Sequence, residues 1–363
     1  MLCSLLLLVM LFKLIRPWSV AYTKEIYPII GKSLSAISGI FPFAVGDLFI
    51  ACSIAWCILY PIYAIFYKKK GKWATWGCVA EYLLWVYVWF YWAWGLNYSQ
   101  PNIYQRIGMR PAEVSKRTLR AFAYQYVDSI NSLSVSEKRK VKSEKFSCQR
   151  EQSQACLRAM PSAAENHLEE FICKGYQDIQ YFKKDLGINA PFCKHPQAKT
   201  MLFSWLSSMA GVTGSMGPFF CEFTLNADLQ PHEYPATYAH EYAHFLGIAN
   251  EGEANFYSYI VCTSSPDKAV RFSGYYLIFF HVLANVYDIL GKQEGDALVK
   301  RIRPEIIQLA RHDRAYWLSK RCKALDAAQD FIFDLYLRGN HVENGRKSYS
   351  GVIAMILAFK SNI

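Results

Sequence analysis

The stretch PATYAHEYAHFLGIANEGEANF, residues 235–256, sets His240 and His244 four residues apart with Glu241 directly after the first of them. On a helix that spacing puts both imidazoles on one face, one turn apart, where they can share a metal ion. A catalytic zinc takes three protein ligands and keeps one open position. Glu241 then lies within reach of a water at that position and is the candidate general base, as the His-Glu-x-x-His pattern encodes. Pro235 suits the first turn of such a helix, and Gly247 supplies a left-handed stop three residues after His244. The chain must then reverse. Asn250 reads as the N-cap of the next helix with Glu253 at its third position, the spacing of a capping box. That gives Glu253 a structural role and leaves Glu251, at the first helical position, free to turn back toward the histidines as third ligand. Glu253 stays open as the alternative ligand. Asn255, one turn beyond Glu251, is placed to orient a ligand from behind, and the small Ala254 lets the two helices approach.

The other histidines carry less. His232 precedes the motif helix and reads as a loop residue, His281 as a hydrogen-bonded core histidine, and His341 falls in a turn-like segment rich in Gly and Asn. Around the motif the pattern is mainly α. A helix is expected from Pro111, since Val114, Leu119, Phe122, Tyr126, Ile130 and Leu133 keep helical spacing, with further helices at 163–186, 267–290, 296–319 and 322–337. The charged run 136–145 reads as solvated. Residues 190–229 are rich in Gly and Pro, and the run Phe219–Leu225 is the expected small β element. There is no internal repeat and no low-complexity linker, so residues 97–363 read as a single domain.

The first 96 residues differ in kind. They hold eight Lys/Arg and three Asp/Glu, which is +5 of the formal +11 of the 363-residue chain. Residues 43–67 carry one charge, Asp47, and 73–96 carry one, Glu81, among nine Trp and Tyr; each is long enough to cross a bilayer. Residues 1–15 are short, and with no small-x-small cleavage site after them they read as an uncleaved first span. The run 272–290 is nearly long enough but holds His281, Asn285 and Asp288, and reads as a buried core helix. The basic turn Lys68-Lys69-Lys70-Gly71-Lys72 is expected on the cytoplasmic side, which puts the domain that follows on the periplasmic or extracellular side of an inner or plasma membrane. That basic run is too short for a nucleic-acid footprint, and the rest of the chain is only mildly basic. Seven of the eleven cysteines (Cys148, Cys156, Cys173, Cys193, Cys221, Cys262, Cys322) fall after the spans; their odd number and irregular spacing specify no disulfide framework and fit buried thiols equally well.

His240-Glu241-x-x-His244 with Glu251-x-x-Ala254-Asn255 resembles the glutamate-zincin metallopeptidases, whose second motif ends in Asp where this chain has Asn255. Phe41-Pro42-Phe43 with Gly46-Asp47, Trp94 to Tyr98, the glycine-rich 211–222, His240 to Gly247, Glu251 to Phe256, Tyr336-Leu337 and Ser348-Tyr349 resemble a bacterial membrane family catalogued as domain of unknown function 3810. That resemblance implies three N-terminal membrane helices and a zincin-like soluble domain; Phe220-Cys221 departs from it, where smaller or hydroxylated residues are expected. Together these readings point to a membrane-anchored zinc metalloprotease acting on a polypeptide substrate, with the substrate strand expected along Phe219–Leu225 and Tyr349, His341 or Arg346 as oxyanion donor. The alternative is a zinc-stabilised, inactive membrane module that binds an envelope partner.

Overall fold

The computed structural model describes residues 1–111, 114–133, 163–182, 186–193, 196, 198–322 and 351–361. The expected helix 322–337, the charged run 136–145, His341, Arg346 and Tyr349, and Cys148 and Cys156 lie outside them. The fold is mainly helical. In chain order the helices are α1 (Leu2–Leu14), α2 (Arg16–Ala21), α3 (Tyr27–Ser38), α4 (Val45–Ile62, continued by a π turn to Tyr67), α5 (Lys72–Ala93), α6 (Ile103–Arg106), α7 (Lys116–Leu133) and α8 (Ala163–Phe182). Strand β1 (Lys199–Thr200), helix α9 (Ser204–Met209), and strands β2 (Gly214–Gly217) and β3 (Glu222–Leu225) follow. The chain then runs through α10 (Tyr234–Phe245), α11 (Glu251–Thr263), α12 (Lys268–Leu277), α13 (Phe279–Leu290), α14 (Lys292–Arg301), α15 (Pro304–Lys320) and α16 (Gly351–Ser361).

Helices α10, α11 and α12 pack on one another at the centre, with α7, α8 and α16 around them and the sheet against α10. The apolar stripe Leu119, Phe122, Tyr126, Ile130 and Leu133 is buried as its spacing requires. Its helix begins at Lys116 rather than Pro111, with the Ser115 hydroxyl accepting from the Thr118 amide at 3.2 Å. The expected helix 296–319 is two, because Pro304 starts a new one: a proline disfavours helix in the residue before it.

Among the described residues two helices are long and apolar enough to cross a membrane, Val45–Tyr67 and Lys268–Leu290, or up to three if the bent pair Leu2–Leu14 and Arg16–Ser38 is one span. They differ in surroundings. Val45–Tyr67 turns Leu48, Ile50, Ile54, Ile58 and Leu59 outward. Lys268–Leu290 breaks at Ile278, and its Val270, Phe279, Val282 and Val286 are buried in the core. The expected span 73–96 forms the 22-residue α5, long enough but not in that apolar pair. Its outer face is nonetheless Trp73, Trp76, Leu83, Leu84 and Trp89, the aromatic composition of a membrane interface.

Helix α1 has 13 residues and rises about 20 Å, short of a bilayer core; its Lys13 meets Tyr91 at the end of α5 at 3.1 Å. After a 97° bend the chain leaves that direction. Tyr22 and Tyr27 then enter the same core as Phe245 and Tyr257, so part of the segment before residue 97 packs into the core that carries the motif helix.

Candidate metal centre

Helix α10 carries Tyr238, Tyr242 and Phe245 into the core, and the same pitch leaves His240 and His244 on the face toward α11. Gly247 ends the reversal with φ of +97°, a value that favours glycine. The carbonyls at the end of α10, which an α-helix leaves without their i+4 partner, are taken up by distant side chains. Trp94 Nε1 donates to His244 O at 3.0 Å, Tyr27 Oη to Phe245 O at 2.6 Å, Asn189 Nδ2 to Leu246 O at 2.9 Å and Gln100 Nε2 to Gly247 O at 2.6 Å. Four successive carbonyls are thereby held from the N-terminal helices and the loops beside them, which fixes the motif helix against those elements.

Helix α11 starts as its sequence implies: the Asn250 side chain accepts from the Glu253 amide at 3.0 Å. The reciprocal half of the capping box does not form. Glu253 instead binds Arg106 at 2.6 Å and the Ile103 amide at 2.8 Å, an engaged and buried carboxylate that faces away from the histidines. Glu251 turns toward them. Its Oε2 lies 3.1 Å from His240 Nε2 and 3.5 Å from His244 Nε2, and the two Nε2 atoms are 3.0 Å apart. Four tetrahedral ligands at zinc bond lengths stand about 3.3–3.5 Å from each other, so the triangle has the right size.

The outer nitrogens fix the tautomers. His244 Nδ1 donates to the Ile248 carbonyl at 2.6 Å and His240 Nδ1 to Asn255 Oδ1 at 2.8 Å. With both imidazoles neutral their Nε2 lone pairs point inward, and with a carboxylate oxygen they make three acceptors around one point, an arrangement that calls for a positive charge, whether a proton or a metal ion. The electrostatics agree. Burial opposes charge on His244, but the Glu251 and Glu241 carboxylates outweigh it and push its pKa up to about 9. Burial likewise works against the Glu251 carboxylate, yet the two imidazoles hold its pKa well below the usual range. Replacing Asn255 with alanine removes the group that orients His240, and zinc affinity is expected to fall by about 10- to 100-fold, read by competition with a chelating dye.

Glu241 is buried, and burial raises its pKa despite the two histidines. Its Oε2 has no hydrogen-bond partner among the described residues. That leaves a buried acceptor beside the metal-sized triangle with no hydrogen bond from the described residues. Strand β2 passes directly over it: a Cβ at Gly214 would stand 2.5 Å from Glu241 Oε1 and 2.7 Å from its Cγ. Gly214→Ala must therefore move the carboxylate. On the hydrolase reading of the motif, a displacement of about 1 Å is expected to lower turnover about 100-fold with zinc content unchanged, as measured by initial rates and metal analysis.

The sheet order β1-β3-β2 corrects the expected substrate strand. Residues Glu222–Leu225 form the central strand, buried and hydrogen-bonded on both sides, and cannot take a further chain. The outer edge belongs to β2, whose Gly-Ser-Met-Gly sequence gives little strand signal. Beside it a cavity of about 440 Å³ opens between Thr213, Thr237, Glu233, Tyr276, Asp313 and Trp317.

His232 lies in the turn before α10, as expected, and pairs with Asp313 at 2.8 Å. With Glu233 these residues form a second group of closely spaced donors. They are already committed to one another, to Tyr276 and to Trp317. His281 joins no such group among the described residues. The cysteines described are free thiols, with Cys173, Cys221 and Cys262 buried.

No curated protein and no solved structure matches the chain. The model of the family described as "Protein of unknown function (DUF3810)" matches residues 22–357, nearly the whole sequence, and the chain belongs to that family.

Proposed function

We propose that this protein is a membrane-anchored zinc metallopeptidase of the zincin type, held by its N-terminal helices with the metal centre on the periplasmic or extracellular side. The reading rests on one observation: three acceptor atoms from α10 and α11 converge at metal-ligand spacing beside a buried carboxylate, one oxygen of which has no hydrogen-bond partner among the described residues. His240, His244 and Glu251 would hold the ion. Zinc so bound supplies Lewis-acid polarisation of a carbonyl and makes water acidic enough to lose a proton near neutral pH.

The chain's own residues do the rest. Glu241 Oε2 takes the proton from water as the water oxygen bonds to the scissile carbonyl carbon. When the C–N bond breaks, Glu241 returns that proton to the amine. The raised affinity of Glu241 for protons suits both halves. An extended polypeptide would pair with the edge of β2 that no described strand covers, and Gly214 keeps that edge close to Glu241.

The direct test uses the purified full chain in detergent with casein as unfolded substrate. A strong zinc chelator is expected to abolish cleavage, zinc to restore it, and removal of the metal to lower thermal stability by about 3–4 kcal/mol relative to zinc at 100–1,000 times its Kd. Cleavage that persists in zinc-free protein would sink the reading.

A further inference from the structure

The edge strand β2 connects the candidate metal centre to the bilayer. At one end Gly214 abuts Glu241, and at the other a Cβ on Gly46, in the first turn of α4, would stand 3.9 Å from Gly217 Cα. That turn is fastened to the sheet. The Gly46 amide donates to Glu222 Oε1 at 2.5 Å, Glu222 faces Gly217 in the register of the hairpin, and its other oxygen is paired with Lys199 at 2.5 Å.

The β2–β3 turn continues the attachment. Phe219 and Phe220 pack on Phe49 of α4 with ring centroids at 4.9 and 5.7 Å, and the Phe219 carbonyl accepts from Trp89 Nε1 of α5 at 3.0 Å. The hairpin tip is thus inserted between the two helices at the level where their apolar faces turn outward.

A second surface lies at the same level. Asp47 of α4 accepts from the Leu202 amide at 2.9 Å. This sets Leu202, Phe203, Trp205 and Leu206, all exposed and Trp205 at 60%, beside exposed Phe41 and Phe43 and the outward Leu48 of α4. An apolar, tryptophan-bearing patch continuous with the side of a membrane helix fits the interfacial layer of that bilayer.

From this placement, and resting on the peptidase reading above, we infer that the substrates are polypeptides anchored in the same membrane and cut in the stretch next to its surface. Gly217 is three residue steps from Gly214, so a chain extended along β2 carries its scissile bond about 10 Å from the first turn of α4. A segment emerging from the bilayer beside α4 and α5 reaches Glu241 within a few residues. A cleavable segment held far above the surface does not.

The full chain, loaded with zinc, is reconstituted in vesicles of phosphatidylethanolamine and phosphatidylglycerol. The probes are an unfolded casein segment joined to a single leucine-rich membrane helix through about two or about twelve prolines, a stiff spacer of roughly 3 Å per residue. Free casein is the third probe. Both tethered probes are equally concentrated at the membrane, so tethering alone does not separate them. The short-spacer probe is expected to be cut at least about 10-fold faster than the long-spacer one, with its first cuts within a few residues of the helix. Equal rates for the two spacers, with zinc-dependent cutting of free casein, would overturn the juxtamembrane assignment and leave the peptidase standing. No cutting of any probe by the zinc-loaded chain would remove the peptidase, and this inference with it.

Discussion

The Glu241→Gln chain is expected to bind zinc as the parent does and to cleave casein about 10²- to 10⁴-fold more slowly, the range that a positioned general base contributes. The amide has the shape of the carboxylate, so the contact with Gly214 is kept. Position 241 provides none of the three atoms that face one another at 3.0–3.5 Å, so the metal triangle is untouched. Only the ability to take a proton is lost. Stability should move the other way, because Glu241 is a buried carboxylate with one unpartnered oxygen and an ionised form that burial disfavours. Removing its charge is expected to leave the melting temperature unchanged or raise it, the usual trade between stability and function at an active site. Undiminished cleavage would remove Glu241 as the base. A parent chain that binds zinc but cuts no better than the variant would favour the alternative of an inactive zinc-stabilised module.

What could be read from the sequence follows from how local each signal is. His240 and His244 are fixed by one helical turn, and the order Gly247, Asn250, Glu251 encodes the reversal that brings Glu251 back, so the cluster was legible within 12 residues. The N-cap made legible that α11 begins with Asn250 capping the Glu253 amide, but not where the Glu253 carboxylate goes. The partner that holds Glu253, Arg106, lies 147 residues away and was not legible. The same holds for Tyr27, Trp94, Gln100 and Asn189, which secure the end of α10: a tyrosine hydroxyl or indole N–H aimed at a distant carbonyl leaves no periodic trace. The substrate strand was misplaced for a related reason. Phe219–Leu225 has the β-type composition because its second half is the buried central strand, whereas the edge β2 is glycine-rich where Gly214 must lie against the Glu241 side chain. The apolar run 43–67 was plain from composition, but the turn of residues 16–38 away from α1 depends on tertiary packing of Tyr22 and Tyr27.

The paired variants Glu251→Gln and Glu253→Gln should fail in opposite ways. At position 251 the carboxylate is one of three acceptors around a shared point, and an amide there offers a neutral, weak donor to zinc. Metal affinity is expected to fall beyond the roughly 100-fold typical of losing a ligand's hydrogen-bond partner, and cleavage should disappear with the metal. The zinc-free fold should survive, since Glu251 is partly exposed and its ionic partners are the two histidines themselves. At position 253 the carboxylate neutralises Arg106 at 2.6 Å, with both side chains nearly inaccessible. Glu253→Gln leaves a buried guanidinium without its counter-charge, a change expected to destabilise the fold by about 3–5 kcal/mol. The zinc content of the folded fraction should stay unchanged. Thermal unfolding and metal analysis of both variants separate the two roles, because each side chain is assigned to one measurement and spared by the other. Should Glu253→Gln strip the metal while Glu251→Gln retains it, the carboxylate that turns toward the histidines in the fold is not the one that binds, and the proposed ligand set is wrong.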